Sequence, residues 1–301
     1  MNKDNFKAYL AWVSICIIWG TTYLAIRVGV KDMPPLLFAG MRWIIAGPIF
    51  LLVLKLRGYK LPDKKDLKHI AVVGILLLGL GNGLVAFAEQ WLPSGLTALL
   101  LTTMPFWVVG IESSLPSGPK LNFMIILGLV LGISGVFFIL GIDFQSLLDS
   151  SYLIGIIGLM IGELGWASGT VYSKYVKVTV HPLMNAAVQM CIAGLALTIV
   201  SGLIGEYPRF HFTHDSFFAF LYLLVFGAFI AYGAYIYAIN HLPISFVSTY
   251  AYINPVIALF LGWLILDEKL NTAIIIGALI ILLAVYIVKK GSNKQIKIRG
   301  V

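Results

Sequence analysis

The chain alternates long apolar runs with short polar or Gly/Pro breaks such as Lys31-Asp32-Met33-Pro34 and Asp143–Ser151. A helix needs roughly 20 apolar residues to cross about 30 Å of hydrocarbon. That ruler predicts ten spans: Ala8–Ile26, Pro35–Leu56, His69–Gln90, Ser94–Leu115, Leu121–Gly141, Tyr152–Tyr172, Pro182–Leu203, Ser216–Ile239, Ile244–Leu266 and Asn271–Val288. The runs are too long and too continuously apolar for barrel strands, so the expected fold is an all-α polytopic membrane protein. Lys3 and Lys7 before the first run imitate a secretory leader. The run ends in Trp19-Gly-Thr-Thr-Tyr-Leu-Ala-Ile-Arg27 without a small-residue cleavage site, so it is read as an uncleaved first span.

Composition agrees. Of 301 residues, 60% are hydrophobic and 11% charged, against about 25% charged in a soluble domain. Such a chain cannot cover a water-facing surface, which argues against a soluble enzyme, a disordered chain and a nucleic-acid binder. The formal charge of +8 is topological: of 21 lysines and arginines, sixteen fall in segments on one side of the ten spans, four on the other, and Arg42 lies inside a span. The positive-inside rule then puts both termini in the cytoplasm of a cell (inner) membrane protein, with the Lys55–Lys68 cluster meeting anionic lipid. Cys16 and Cys191 lie in apolar runs and suggest neither a disulfide nor a metal site. No phosphate-binding loop, His-Glu-x-x-His or Gly-x-Ser-x-Gly pattern occurs, and His211 with His214 lacks a third ligand, so no cofactor or metal is expected.

The two halves superpose. At an offset of 147, Trp19 meets Trp166, Arg27 meets Lys174, Pro35 meets Pro182 and Ala46-Gly47 meets Ala193-Gly194. At 150, Gly83, Ala88, Leu92-Pro93 and Pro105 meet Gly233, Ala238, Leu242-Pro243 and Pro255; at 149, Leu121-Asn122 and Gly128 meet Leu270-Asn271 and Gly277. The expected division is therefore 8–141, 152–289 and a basic tail over 290–301. Five spans per repeat is an odd number, so the second copy enters the membrane inverted. Inverted repeats are a common plan of secondary transporters, with the binding site between the repeats.

Trp19-Gly-Thr-Thr-Tyr with Arg27, Pro35 to Arg42, Trp166-Ala167 with Lys174, and Asn254-Pro255 followed by Asp267-Glu268-Lys269 resemble the EamA branch of the drug/metabolite transporter superfamily. The resemblance covers the whole chain as two five-helix repeats. It implies ten helices, cytoplasmic termini and export of small metabolites or drugs. One departure is that Gly118 stands where the second repeat has Glu268, 13 residues after the matching proline.

Ionisable groups inside a span are expensive and point to function. Glu163, deep in the sixth span among apolar and small neighbours, is expected to exchange a proton or grip a substrate ammonium, the alternative being a structural pair with Arg42. Arg42 is expected to hold a carboxylate, or else to pair with Glu163, Glu89 or helix-end carbonyls. Glu89 reads as an interfacial anchor or gate, and Glu112 as a solvated group near a span end. Trp19, Tyr23, Trp166, Tyr232, Tyr235, Tyr250 and Tyr252 are candidates to stack on substrate; Asn82 and Asn254 place amides at midspan. Pro105 and Pro255 each remove a helix hydrogen bond, so freed carbonyls are expected to line a cavity. The expected function is secondary transport of a small amphipathic metabolite, an amino acid or drug-like compound, exported by alternating access with Glu163 as a proton carrier. The expected partners are that small molecule and membrane lipid, with a homodimer open. An intramembrane lipid-modifying enzyme and a lipid scramblase are the alternatives.

Overall fold

The computed structural model describes residues 3–92, 94–116, 118, 121–140, 150–257 and 272–299. Every regular element in them is helical. The long apolar runs become α1 (Lys3–Asp32), α2 (Pro35–Leu56), α3 (Lys64–Ala88), α7 (Ser150–Tyr175), α8 (Pro182–Leu203) and α9 (His214–His241). Six helices, taken over their described parts, are long and apolar enough to cross a membrane. The fourth run is broken into α4 (Ser94–Leu100), a 3₁₀ turn (Leu101–Thr103) and α5 (Met104–Ser114). The fifth gives α6 (Phe123–Leu140). The ninth begins with a short α10 (Ile244–Val247), then a turn and α11 over 250–257. The tenth gives α12 (Thr272–Arg299), which runs on through most of the basic tail. Most of the Asp143–Ser151 break, Pro93, Lys120, the end of the ninth run, Asp267-Glu268-Lys269 and Leu270-Asn271 lie outside the described residues.

Helix ends follow local chemistry. Pro35 and Pro182 open α2 and α8, where proline's missing N–H costs nothing. Both helices stop at a glycine with positive φ, Gly58 at 83° and Gly205 at 75°, a conformation glycine adopts without a Cβ clash. These two glycines are another pair at an offset of 147. Buried Glu206 then reaches back to α2, its carboxylate accepting from the Leu37 amide at 2.8 Å, where a helix N-terminus favours negative charge.

The packing follows the repeat. α2 lies against its counterpart α8, with Gly40 beside Thr198 and Gly47 beside Cys191. Residue numbers rise along one helix as they fall along the other, so the counterparts are antiparallel, as inversion requires. α6 and α12 pair in the same sense, Gly128 against Ala284 and Gly135 against Ile281. Each repeat's first helix packs on the other's third: α1 on α9 and α7 on α3. The α7–α3 contact is made by Gly155, Gly158, Gly162, Gly165 and Gly169, which sit over Leu92, Phe87, Leu84, Leu80 and Leu76. Small residues at this spacing let two backbones approach closely, the usual basis of helix association in lipid.

α3 and α9 share a further feature. Ile75–Asn82 and Leu223–Tyr232 are π-helical, and these segments superpose at an offset of 150. π segments within α-helices occur frequently at functional sites. Aromatic residues fill the core between the halves, with Trp43, Trp166, Tyr232, Tyr235 and Tyr250 buried, while leucine and isoleucine face outward at Leu10, Ile17, Leu24 and Ile161.

Candidate functional site

A small cavity, of about 70 Å³, lies between the halves. α1 contributes Trp19, Thr22, Tyr23 and Ile26, α2 Arg42 and Trp43, and α3 Gly81, Asn82 and Val85. The broken fourth run adds Leu101 and Met104, α7 Gly162, Glu163 and Trp166, α9 Gly227 and Tyr232, and α11 Tyr250 and Ala251. The two π segments thus each end on a wall residue, Asn82 and Tyr232.

Among the described residues the wall carries one cation and one acid, and they are not paired. Arg42 is 4% exposed. Its guanidinium lies 4.3 Å from the Trp43 ring centroid and donates to the Asn82 side-chain oxygen, which also accepts from Trp43 Nε1 at 3.2 Å. Its Nε has no partner. Glu163 is 1% exposed; Oε2 accepts from the Thr103 hydroxyl at 2.6 Å and Oε1 has no partner. The sequence offered acids or helix-end carbonyls as partners for Arg42; the fold supplies a neutral amide. The repeat echoes the contact, because Gln189 and Tyr232 occupy the positions of Arg42 and Asn82 in the other half, and Tyr232 donates to Gln189.

Trp19 and Trp166 meet edge to face at 5.3 Å. Trp19 also packs on Tyr250 at 4.9 Å and on Tyr235 at 5.2 Å. Trp166 Nε1 donates to the Tyr235 hydroxyl at 3.1 Å, which pairs further with Thr170. Tyr235 and Thr170 are the counterparts of Val85 and Tyr23. Val85 and Tyr23 line the cavity, whereas Tyr235 and Thr170 bond each other beside Trp166 and stand off its wall. Asn254 stands behind the wall. The orientation that satisfies its amide has the oxygen accepting from Tyr23 at 3.2 Å and the nitrogen donating to the carbonyls of Tyr250 and Cys16.

Of the candidate residues, Trp19, Tyr23, Arg42, Asn82, Glu163, Trp166, Tyr232 and Tyr250 therefore share one cavity, with Tyr235 and Asn254 supporting it. Others lie elsewhere. Tyr252 packs beside α6 and donates to the Leu129 carbonyl. Pro105 and Pro255 are buried but off the cavity wall. The carbonyl of Leu101, freed by Pro105, is taken by the Met104 amide in the 3₁₀ turn, so it is not left bare. Glu89 is fully buried rather than interfacial, and Glu112 is buried where a solvated group was expected, accepting from the Tyr175 hydroxyl at 3.2 Å. Sequence reasoning overlooked Thr103, Thr22, Trp43 and Gln189. Of these, Gln189 was findable as a polar residue inside a span opposite Arg42 in the repeat alignment.

The sequence pattern of the EamA-like transporter family matches residues 6–141 and again 153–289. The chain belongs to the EamA-like transporter family. Relatives carry transporter names. An uncharacterized inner membrane transporter of Escherichia coli K12, YedA, is 36% identical over 282 residues, covering 93% of this chain and 90% of its own. An uncharacterized transporter of Bacillus subtilis 168, YoaV, is 30% identical, covering 93% and 96%. One solved crystal structure shares the fold with a TM-score of 0.77 over 95% of this chain and 98% of its own, at 19% identity. The chain is thus a multi-pass membrane protein of an EamA transporter family, whose named relatives are transporters rather than enzymes.

Proposed function

We propose that the protein is a secondary carrier exporting a small amphipathic metabolite or drug-like compound that bears both an acidic and a basic group, as an amino acid does. The observation that carries this reading is the unpaired Arg42 and Glu163 on one cavity wall, each with a polar atom lacking a partner. An arginine held by a neutral amide keeps its charge available for a carboxylate. A buried carboxyl with one free oxygen is suited to an ammonium or to a proton. Trp19 and Trp166 give the rest of the substrate an aromatic surface.

Both termini are assigned to the cytoplasm of a cell (inner) membrane, on the lysine and arginine distribution. The cavity then belongs to the outward-facing state, and exchanging the conformations of the two repeats would carry it to the inward-facing one. Glu163 is the proposed proton carrier.

Transport in proteoliposomes tests this. Candidate substrates come from comparing metabolites of cells with and without the protein, and the strongest is carried into counterflow assays. Glu163→Gln is expected to abolish accumulation driven by a pH gradient while counterflow persists. Retained uphill movement in that variant excludes the coupling role, and absence of counterflow by the native protein with every candidate excludes the carrier reading.

A further inference from the structure

The end of the molecule where α1 and α3 finish holds a second buried acid. Glu89 follows the last turn of α3, is 0% exposed, and neither carboxyl oxygen has a hydrogen-bond partner. A cation is at hand: half-buried Arg27, on α1, donates to the backbone carbonyl of Glu89 and not to its carboxyl group. Beside an ionised carboxylate a guanidinium gains most by bonding the carboxylate itself, since charge-assisted bonds are about twice as strong as neutral ones. A buried carboxylate without donors is also strongly disfavoured. An ionised Glu89 would thus sit without a donor to either oxygen, whereas the neutral acid leaves only uncharged groups unbonded, the smaller cost.

The repeat provides an internal comparison. Lys174, the counterpart of Arg27, donates to the carbonyl of Ile239, the counterpart of Glu89, at 2.9 Å. A cation on the last carbonyls of a helix is a sufficient cap by itself. The acid on Glu89 is thus unexplained by capping, and it exists at only one of the two equivalent ends. Of the helices packed on α3, α1 carries buried Tyr23 and half-buried Arg27, α2 buried Arg42 and α7 buried Glu163.

We propose that Glu89 is a proton-binding site separate from Glu163 and that it works a latch at one end of the molecule. With the proton on, Arg27 stays on the α3 carbonyl and ties α1 to α3. When the proton passes to water at that end, the guanidinium moves to the new carboxylate and the end of α3 loses its cap. The latch goes beyond the carrier reading, because it belongs to the empty protein and needs no proton movement at Glu163.

The test uses the purified full chain without substrate. In infrared spectra at neutral pH, Glu89→Gln should remove a protonated-carboxyl band that Glu163→Gln retains. A spin label on Gln90→Cys, with Cys16→Ala and Cys191→Ala, should become more mobile from acidic to alkaline pH. That response should vanish in Glu89→Gln, which stays in the acidic spectrum, and in Arg27→Gln, which stays in the alkaline one. Glu89→Asp keeps an acid and should keep both the band and the response, which separates loss of the site from loss of the fold. A band unaffected by Glu89→Gln, or a label response that survives it, overturns the proposal.

Discussion

In the carrier reading proposed above, Arg42 is the residue that sets the cavity's selectivity. Because Asn82 and Trp43 hold its guanidinium in plane and leave Nε unbonded, the group is oriented before any ligand arrives. Arg42→Lys keeps the charge but loses the planar fork. We expect it to raise the half-saturating concentration of a carboxylate-bearing substrate about tenfold, roughly 1.4 kcal/mol, with little effect on analogues lacking the carboxylate; counterflow titration measures both. Trp166→Phe removes the bond to Tyr235 and is expected to lower thermal stability in detergent by about 1 kcal/mol. Identity and depth were legible at this scale: Arg42, Glu163 and the tryptophan pair stand out in the sequence because charge and indole are rare inside spans. Their partners were not. Which side chain faces Arg42 depends on helix phase and on the π segment ending at Asn82, and hydropathy encodes neither.

At the scale of elements, the two halves differ in how their crossed helices fit. α7 meets α3 through a glycine every three or four residues, whereas the equivalent positions of α1 are Ala8, Ala11, Ile15, Ile18 and Thr22. Gly162→Leu would force a branched side chain onto Leu84 beside the cavity. We expect it to destabilise the protein by about 1–3 kcal/mol, read as a lowered unfolding temperature in detergent, and to slow counterflow more than Gly110→Leu, where nothing lies close. The helices themselves were legible because a span has to be long and apolar. The 3₁₀ turn before Met104 and the paired π segments were not, since a shift in backbone bonding leaves the apolar pattern intact. The glycine spacing on α7 was readable and went unread.

At the scale of the whole molecule, the outward-facing state proposed above makes the difference between Val85 and its counterpart Tyr235 the feature that sets which end is closed. Val85→Tyr would place at the open end the side chain that fills the closed one, and access from that end should fall; labelling of Ile26→Cys by a membrane-impermeant reagent, in a background lacking Cys16 and Cys191, should slow at least several-fold. Conversely, Thr170→Val removes a partner of Tyr235 and should raise labelling from the opposite side. The repeat was legible because tryptophan, proline and basic residues recur in order. The unequal lining of the cavity, with Val85 and Tyr23 on its wall and Tyr235 and Thr170 off it, was not, because it depends on which of two related packings the chain adopts. A further consequence follows from Arg42 having an amide, not a carboxylate, as its companion. With Glu163 protonated, the unloaded protein carries an uncancelled positive charge in the field of the bilayer. An elementary charge crossing the full field changes in energy by about 2.3 kcal/mol per 100 mV, so reorientation of the empty carrier should respond to membrane voltage, whereas a zwitterionic substrate would silence that response only if its ammonium displaced the proton on Glu163.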